Sequence, residues 1–63
     1  MNKAKIKFGD NNCWDEGEEV EVVGKDKTHK NDNFDYYVVR GKNPNGRGYI
    51  KQIVPENFLE EVN

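Results

Sequence analysis

Cysteine is nearly absent from this chain: Cys13 stands alone among 63 residues. One thiol closes no internal disulfide and builds no multi-cysteine zinc site, and a reducing cytoplasm is the expected setting. Long hydrophobic runs are missing as well. Neither a signal-peptide core nor a membrane span is visible, so no export and no membrane partner is expected. Histidine occurs once, at His29, between Thr28 and Lys30 in a stretch without apolar residues. Cys13 has no histidine within local reach, and Asp10-Asn11-Asn12 reads as a turn rather than as metal ligands. The run Gly41-Lys42-Asn43-Pro44-Asn45-Gly46-Arg47-Gly48 lacks the Gly-Lys-Ser/Thr ending of a phosphate loop. These gaps remove the usual catalytic inventories, and a protein that is no enzyme and carries no cofactor or metal is expected.

The hydrophobic share is low, 33% against 35% charged, yet the chain holds one Trp, three Tyr and three Phe. Aromatics bring a large burial area per residue, so a lean chain can still fold. Residues 1–63 have room for one domain and one small core, whose stability is expected to be about 3–5 kcal/mol.

Periodicity points to strands. Lys3, Lys5 and Lys7 alternate with Ala4, Ile6 and Phe8, the pattern of a half-buried strand from Lys3 to Phe8. Gly9-Asp10-Asn11-Asn12 supplies turn formers. A second strand is expected from Glu18 to Val23, with Val20 and Val22 facing in, Glu19 and Glu21 facing out, and Gly24 ending it. Residues 25–33 contain nothing apolar and read as a long, solvated, mobile loop. The densest run of β-formers, from Phe34 to Arg40, predicts the third strand, with Tyr36 and Tyr37 on opposite faces, one in the core and one lining the surface. Asn43-Pro44-Asn45-Gly46 reads as a type I turn with Gly46 in the left-handed conformation, leading to a fourth strand that ends near Val54. Pro55-Glu56-Asn57 predicts a 3₁₀ turn before a last strand, Leu59 to Val62, with Phe58 in the core. No helix longer than a turn has a convincing period. The fold class is therefore all-β, a five-stranded small barrel or sandwich.

In this order the pieces resemble an SH3-like barrel over nearly the whole chain. Ala4-Lys5-Ile6-Lys7-Phe8 resembles the Ala-Leu-Tyr-Asp-Tyr strand. Gly17-Glu18-Glu19-Val20-Glu21-Val22-Val23 is similar to the Gly-Asp-x-Leu-x-Val-Leu strand after the RT loop. Asp35-Tyr36-Tyr37-Val38-Val39-Arg40 resembles the strand opening with paired tryptophans. Gly48-Tyr49-Ile50 and Val54-Pro55-Glu56-Asn57-Phe58-Leu59-Glu60 resemble the Gly-x-Ile-Pro-x-Asn-Tyr-Val-Glu ending, the most specific part. The resemblance implies a five-stranded SH3-like barrel with a short 3₁₀ turn before the last strand. It also implies a binding role, since SH3 domains hold Pro-rich ligands between aromatic residues beside an acidic loop. The departures argue against the standard groove. Ile6 and Phe8 replace the first-strand tyrosines, Tyr36 and Tyr37 replace the tryptophans, the RT-like loop is short, and Lys51-Gln52-Ile53 is extra. The chain is closer to the compact SH3-like barrels of bacteria, mobile elements and phages, where such a barrel serves as a docking module.

Charge is polarised. Asp10, Asp15, Glu16, Glu18, Glu19 and Glu21 fall between Phe8 and Gly24 with no basic residue among them. This stretch is either a face that steers a basic partner or the ordinary solvated side of a strand. Trp14 lies beside it, as an exposed anchor for a partner or as a lid over the barrel end. The expected function is protein binding, as an effector or assembly subunit docking on a partner protein with a basic surface. The expected contacts are Asp10, Trp14, Asp15, Glu16, Glu19, Tyr36, Tyr37, Pro55 and Phe58. Nucleic acid ranks second. Lys3, Lys5 and Lys7, the 25–33 loop and the Arg40–Arg47 hairpin could form a basic surface with a tyrosine for stacking, against an overall charge of −2.

Overall fold

The computed structural model describes residues 2–10, 12–28 and 33–62. It contains five strands, β1 (Lys3–Ile6), β2 (Glu19–Asp26), β3 (Tyr36–Lys42), β4 (Tyr49–Pro55) and β5 (Leu59–Val62), with a 3₁₀ turn at Glu56–Phe58 directly before β5. All pairings are antiparallel, in the order β4-β3-β2-β1-β5, which leaves β4 and β5 as the two edges of one sheet. Among the described residues no helix is long and apolar enough to cross a membrane.

A single sheet with no helix to cover it must curl its apolar face onto itself. Ala4 and Ile6 of β1, Val20 of β2, Val39 of β3, Val54 of β4 and Leu59 of β5 all point to that inner side and are buried, together with Trp14 from the β1–β2 connection. Each buried Val, Ile or Leu side chain contributes about 1.5–3 kcal/mol, and the single methyl of Ala4 less. Cys13, Val22, Tyr37, Ile50 and Phe58 pack around this cluster.

The means of curling is visible in β2. Its first residues, Glu19 to Glu21, pair with β1, and Glu21 to Asp26 pair with β3, so only Glu21 is shared. Between Val22 and Gly24 the register shifts, leaving Val23 as the extra residue of a bulge. A bulge bends the strand and raises its twist, here next to the residue at which β2 passes from pairing with β1 to pairing with β3. Gly24 is thus not the end of the strand, as its type suggested. It continues the ladder opposite Val38, and Lys25 and Asp26 pair with Tyr37 and Tyr36. Those two residues belong to β2 and not to the expected loop. Within that loop, residues 29–32, with His29, lie outside the described residues.

Three further expectations are corrected. β1 stops at Ile6, and Phe8 is 51% exposed instead of facing the core. The β1–β5 register closes at Ile6 opposite Leu59, one further bond in line with it runs from Lys7 N–H to the Phe58 carbonyl (2.8 Å), and the chain then leaves the sheet at the turn formers that begin at Gly9. In the β3–β4 hairpin, Gly46 N–H closes a turn on the Asn43 carbonyl (3.4 Å), but the left-handed residue is Gly48 (φ 82°), not Gly46. Gly48 sits there because its carbonyl must point back to accept from Asn43 N–H (3.0 Å) before β4 begins. Finally, Pro55 ends β4 opposite Tyr36 instead of standing outside it, an end position that needs no donor from its nitrogen.

Candidate functional site

The β1–β2 connection is held by its own polar side chains. Asn12 donates through Nδ2 to the Phe8 carbonyl and accepts at Oδ1 from Trp14 N–H, both at 3.0 Å. Asp15 to Glu18 form a turn, with Glu18 N–H donating to the Asp15 carbonyl (3.1 Å) and Gly17 left-handed at φ 88°. Cys13 N–H reaches Gln52 Oε1 on β4 (3.0 Å), so the connection spans from β1 to the far edge of the sheet.

This span carries Trp14 into the core, where it is 3% exposed. Its indole N–H donates to the Lys42 carbonyl at 2.9 Å, and its ring lies against Gly41, where a Cβ would come within 2.7 Å of Cε2 and Nε1. The paired register of β2 and β3 ends at Glu21 opposite Arg40. Trp14 packs where the β3 end runs on beyond that pairing, and its N–H satisfies a carbonyl there. Of the two readings of this residue, the structure places it as the lid. A ring this buried offers no face to a partner, and Trp14 is withdrawn from the expected contact surface.

The other expected residues divide between two surfaces. The first is an aromatic strip around the 3₁₀ turn. Phe8 meets Phe58 edge-on, with centroids 5.5 Å apart and planes at 77°. The turn is tied at one end by Lys7 N–H to the Phe58 carbonyl, and at the other by Glu56 N–H to the Asp35 carbonyl (2.8 Å). Tyr36, next to Asp35, stands opposite Pro55 in the register and meets Phe34 with ring centroids 5.3 Å apart and planes tilted at 52°. Two aromatic pairs, Phe8–Phe58 and Phe34–Tyr36, are therefore linked to the segment of Pro55 and the 3₁₀ turn. Pro55 is itself buried, Phe58, Tyr36 and Phe34 are half-buried, and Phe8 is the most open. Tyr37 is also half-buried but packs against the core, on the opposite side of β3 from Tyr36. Asp10, Asp15 and Glu16 are exposed on the connection that starts at Phe8, and among the described residues they form no ion pair.

Beside the strip, Lys25 lies 3.1 Å from Asp35. The hydrogen bond to Asp35, then its charge, raise the Lys25 ammonium above the usual lysine value, with smaller contributions from Tyr37 and Glu56.

The second surface is an open cleft of about 340 Å³ lined by Lys3, Glu19, Glu21, Arg40, Lys42 and Tyr49, with Val20 and Gly41 at its floor. Glu19 belongs here and not to the strip. Its carboxylate is 3.9 Å from Lys3, and that of Glu21 is 3.5 Å from Arg40. Exposed pairs such as these contribute about 0–1 kcal/mol to stability, but they offset the acidic face that the bare order of residues suggested on β2.

Phe8 and Phe34 were missed as surface residues because alternation and β-propensity assign apolar side chains to strands. The turn cluster starting at Gly9 was the available signal that the strand had already ended by Phe8. Among the described residues no three His, Cys, Asp or Glu side chains converge to hold a metal ion. Set against known proteins, the chain matches no family model, no curated protein and no solved structure.

Proposed function

We propose that the chain is an SH3-like barrel acting as a non-enzymatic protein-binding module. One observation carries this: an exposed phenylalanine, Phe8, is held against Phe58 at the 3₁₀ turn, at the start of a connection whose carboxylates Asp10, Asp15, Glu16 and Glu18 form no ion pair among the described residues. An apolar side chain half open to water in a chain so short of hydrophobic residues is poorly used by the fold alone. Aromatic residues beside charges of one sign are what a docking surface needs: area to bury, and a field to orient the partner. The partner is a protein presenting an apolar side chain flanked by lysine or arginine. The barrel assignment is supported by the strand order, the bulge in β2 and the 3₁₀ turn before β5, on which the segments resembling SH3 domains fall in sequence.

Affinity capture with quantitative mass spectrometry tests this, comparing wild type with Phe8→Ala and Glu16→Lys after each variant is checked for native circular dichroism. Loss of the same partners in both variants is expected. If both fold and keep every partner, the surface is wrong.

A further inference from the structure

The β3–β4 hairpin has a composition unlike the rest of the chain. Residues 36–55 contain no aspartate or glutamate, and they contain Arg40, Lys42, Arg47 and Lys51. The register puts Arg40 directly opposite Lys51 and Lys42 directly opposite Tyr49, four side chains on the outer face, two residues apart along each strand. Three like charges gathered on neighbouring positions repel one another, and of the three only Arg40 has a carboxylate partner among the described residues. Arg40 is shared with Glu21 across the cleft. Lys42, Arg47 and Lys51 are exposed and form no ion pair among the described residues. Within this group the Arg40 guanidinium lies over the Tyr49 ring, 4.5 Å from its centroid, yet Tyr49 remains 60% exposed, the most open of the large apolar side chains among the described residues.

We propose that this outer hairpin face binds single-stranded nucleic acid, with Lys42, Arg47 and Lys51 on the phosphates and Tyr49, backed by Arg40, as the platform for one base. The surface is separate from the aromatic strip and stands without the protein-docking reading. A positive groove with an aromatic platform is the combination that holds single strands with little regard for sequence. Cations alone would suit any polyanion. The open Tyr49 favours nucleic acid, since every unpaired base brings a flat ring to lay against it beside its own phosphate, whereas an acidic protein surface does so only where an aromatic residue stands next to its carboxylates. A duplex keeps its bases stacked inside and presents only phosphates to this face. The stripe of Lys3, Lys5 and Lys7 does not extend the surface: Lys3 and Lys5 pair in the sheet between glutamates, Glu21 and Glu19 on one side and, for Lys5, Glu60 on the other.

The test is fluorescence anisotropy with the full chain and labelled oligothymidylate, in parallel with its duplex with oligoadenylate, at salt from about 50 to 200 mM. Three to four phosphate contacts predict a log–log salt slope of about −2 to −3 for the single strand, with the duplex binding more weakly. Lys42→Glu with Lys51→Glu lowers affinity at the lower salt at least about tenfold and flattens the slope. Tyr49→Ala lowers single-strand affinity by about tenfold and leaves the slope unchanged. Lys27→Gln, outside the hairpin, has no effect. Circular dichroism confirms that each variant is folded. The proposal is overturned by the absence of salt-dependent binding at the lower salt, or by a Tyr49→Ala variant that binds like wild type. It is equally overturned if polyglutamate competes as well as the oligonucleotide, which assigns the face to an acidic protein.

Discussion

Gly41→Ala is the most incisive perturbation of this fold, because one added methyl group meets the ring on which the core depends. Gly41 is not in the left-handed region, so alanine fits its backbone, and the smaller entropy of the unfolded chain would by itself stabilise the variant by about 0.4–1 kcal/mol. The new Cβ would, however, stand 2.7 Å from Cε2 and Nε1 of Trp14 and 2.9 Å from Cζ2. Trp14 cannot retreat freely, since its N–H is fixed to the Lys42 carbonyl and its ring is 3% exposed. Overpacking of this kind costs about 1–3 kcal/mol. The net expectation is a loss of about 1–2 kcal/mol, a large share of the stability of so small a domain. With a urea m-value of about 1 kcal/mol per M, the unfolding midpoint falls by about 1–2 M.

Urea titration followed by far-ultraviolet circular dichroism reads this directly, and a double-mutant cycle identifies the cause. Trp14→Phe removes the N–H and the part of the ring that faces Gly41, costing about 1–2 kcal/mol alone for the lost hydrogen bond and area. In that background Gly41→Ala should become nearly neutral, giving a coupling of about 1 kcal/mol or more. Gly24→Ala is the control: nothing lies within 4 Å of its added Cβ, and it should be neutral or slightly stabilising. A Gly41→Ala variant as stable as wild type would refute the placement of Trp14 as the lid. So would effects of the two substitutions that simply add, within about 0.5 kcal/mol.

Two other outcomes follow from the geometry. Gly48→Ala places a Cβ in a left-handed residue (φ 82°) and should cost about 1–2 kcal/mol, whereas Gly46→Ala should stay within about 0.5 kcal/mol of wild type; urea unfolding that ranks them the other way would move the left-handed position to Gly46. The raised pKa of Lys25 means that the folded state holds this proton more tightly than the unfolded chain, so the pair with Asp35 stabilises below the ordinary lysine value of 10.5 and loses that contribution as pH rises through the folded value. Both groups are about half exposed, so the effect is small and screened by salt. Asp35→Asn should lower the urea midpoint slightly at neutral pH and show a shallower decline than wild type above pH 10.5, and identical profiles for the two proteins would show that the pair is not formed in solution.

The sequence by itself determined the local elements wherever a short-range rule has one solution. Lysines alternating with Ala4 and Ile6 can form only a half-buried strand. Pro55 followed by Glu56-Asn57-Phe58 can continue only as a tight turn, and the last strand runs from Leu59 to Val62 as its residues demand. Wherever a residue had two outlets of similar cost, only the tertiary structure chose. Gly24 could end a strand or extend a bulged one, and pairing with Val38 decided for the bulge. Phe8 continued an apolar alternation, yet the strand ends at Ile6 and the ring stays at the surface beside Phe58. The glutamates of β2 read as an acidic face until the register set Lys3 and Arg40 against them. Trp14 is the sharpest case. Its flanking residues are polar, and only a glycine without a side chain and the free carbonyl beside it, 27 and 28 residues further along the chain, make room for it inside. Contacts over that distance depend on how the sheet curls, and no local pattern encodes the curl.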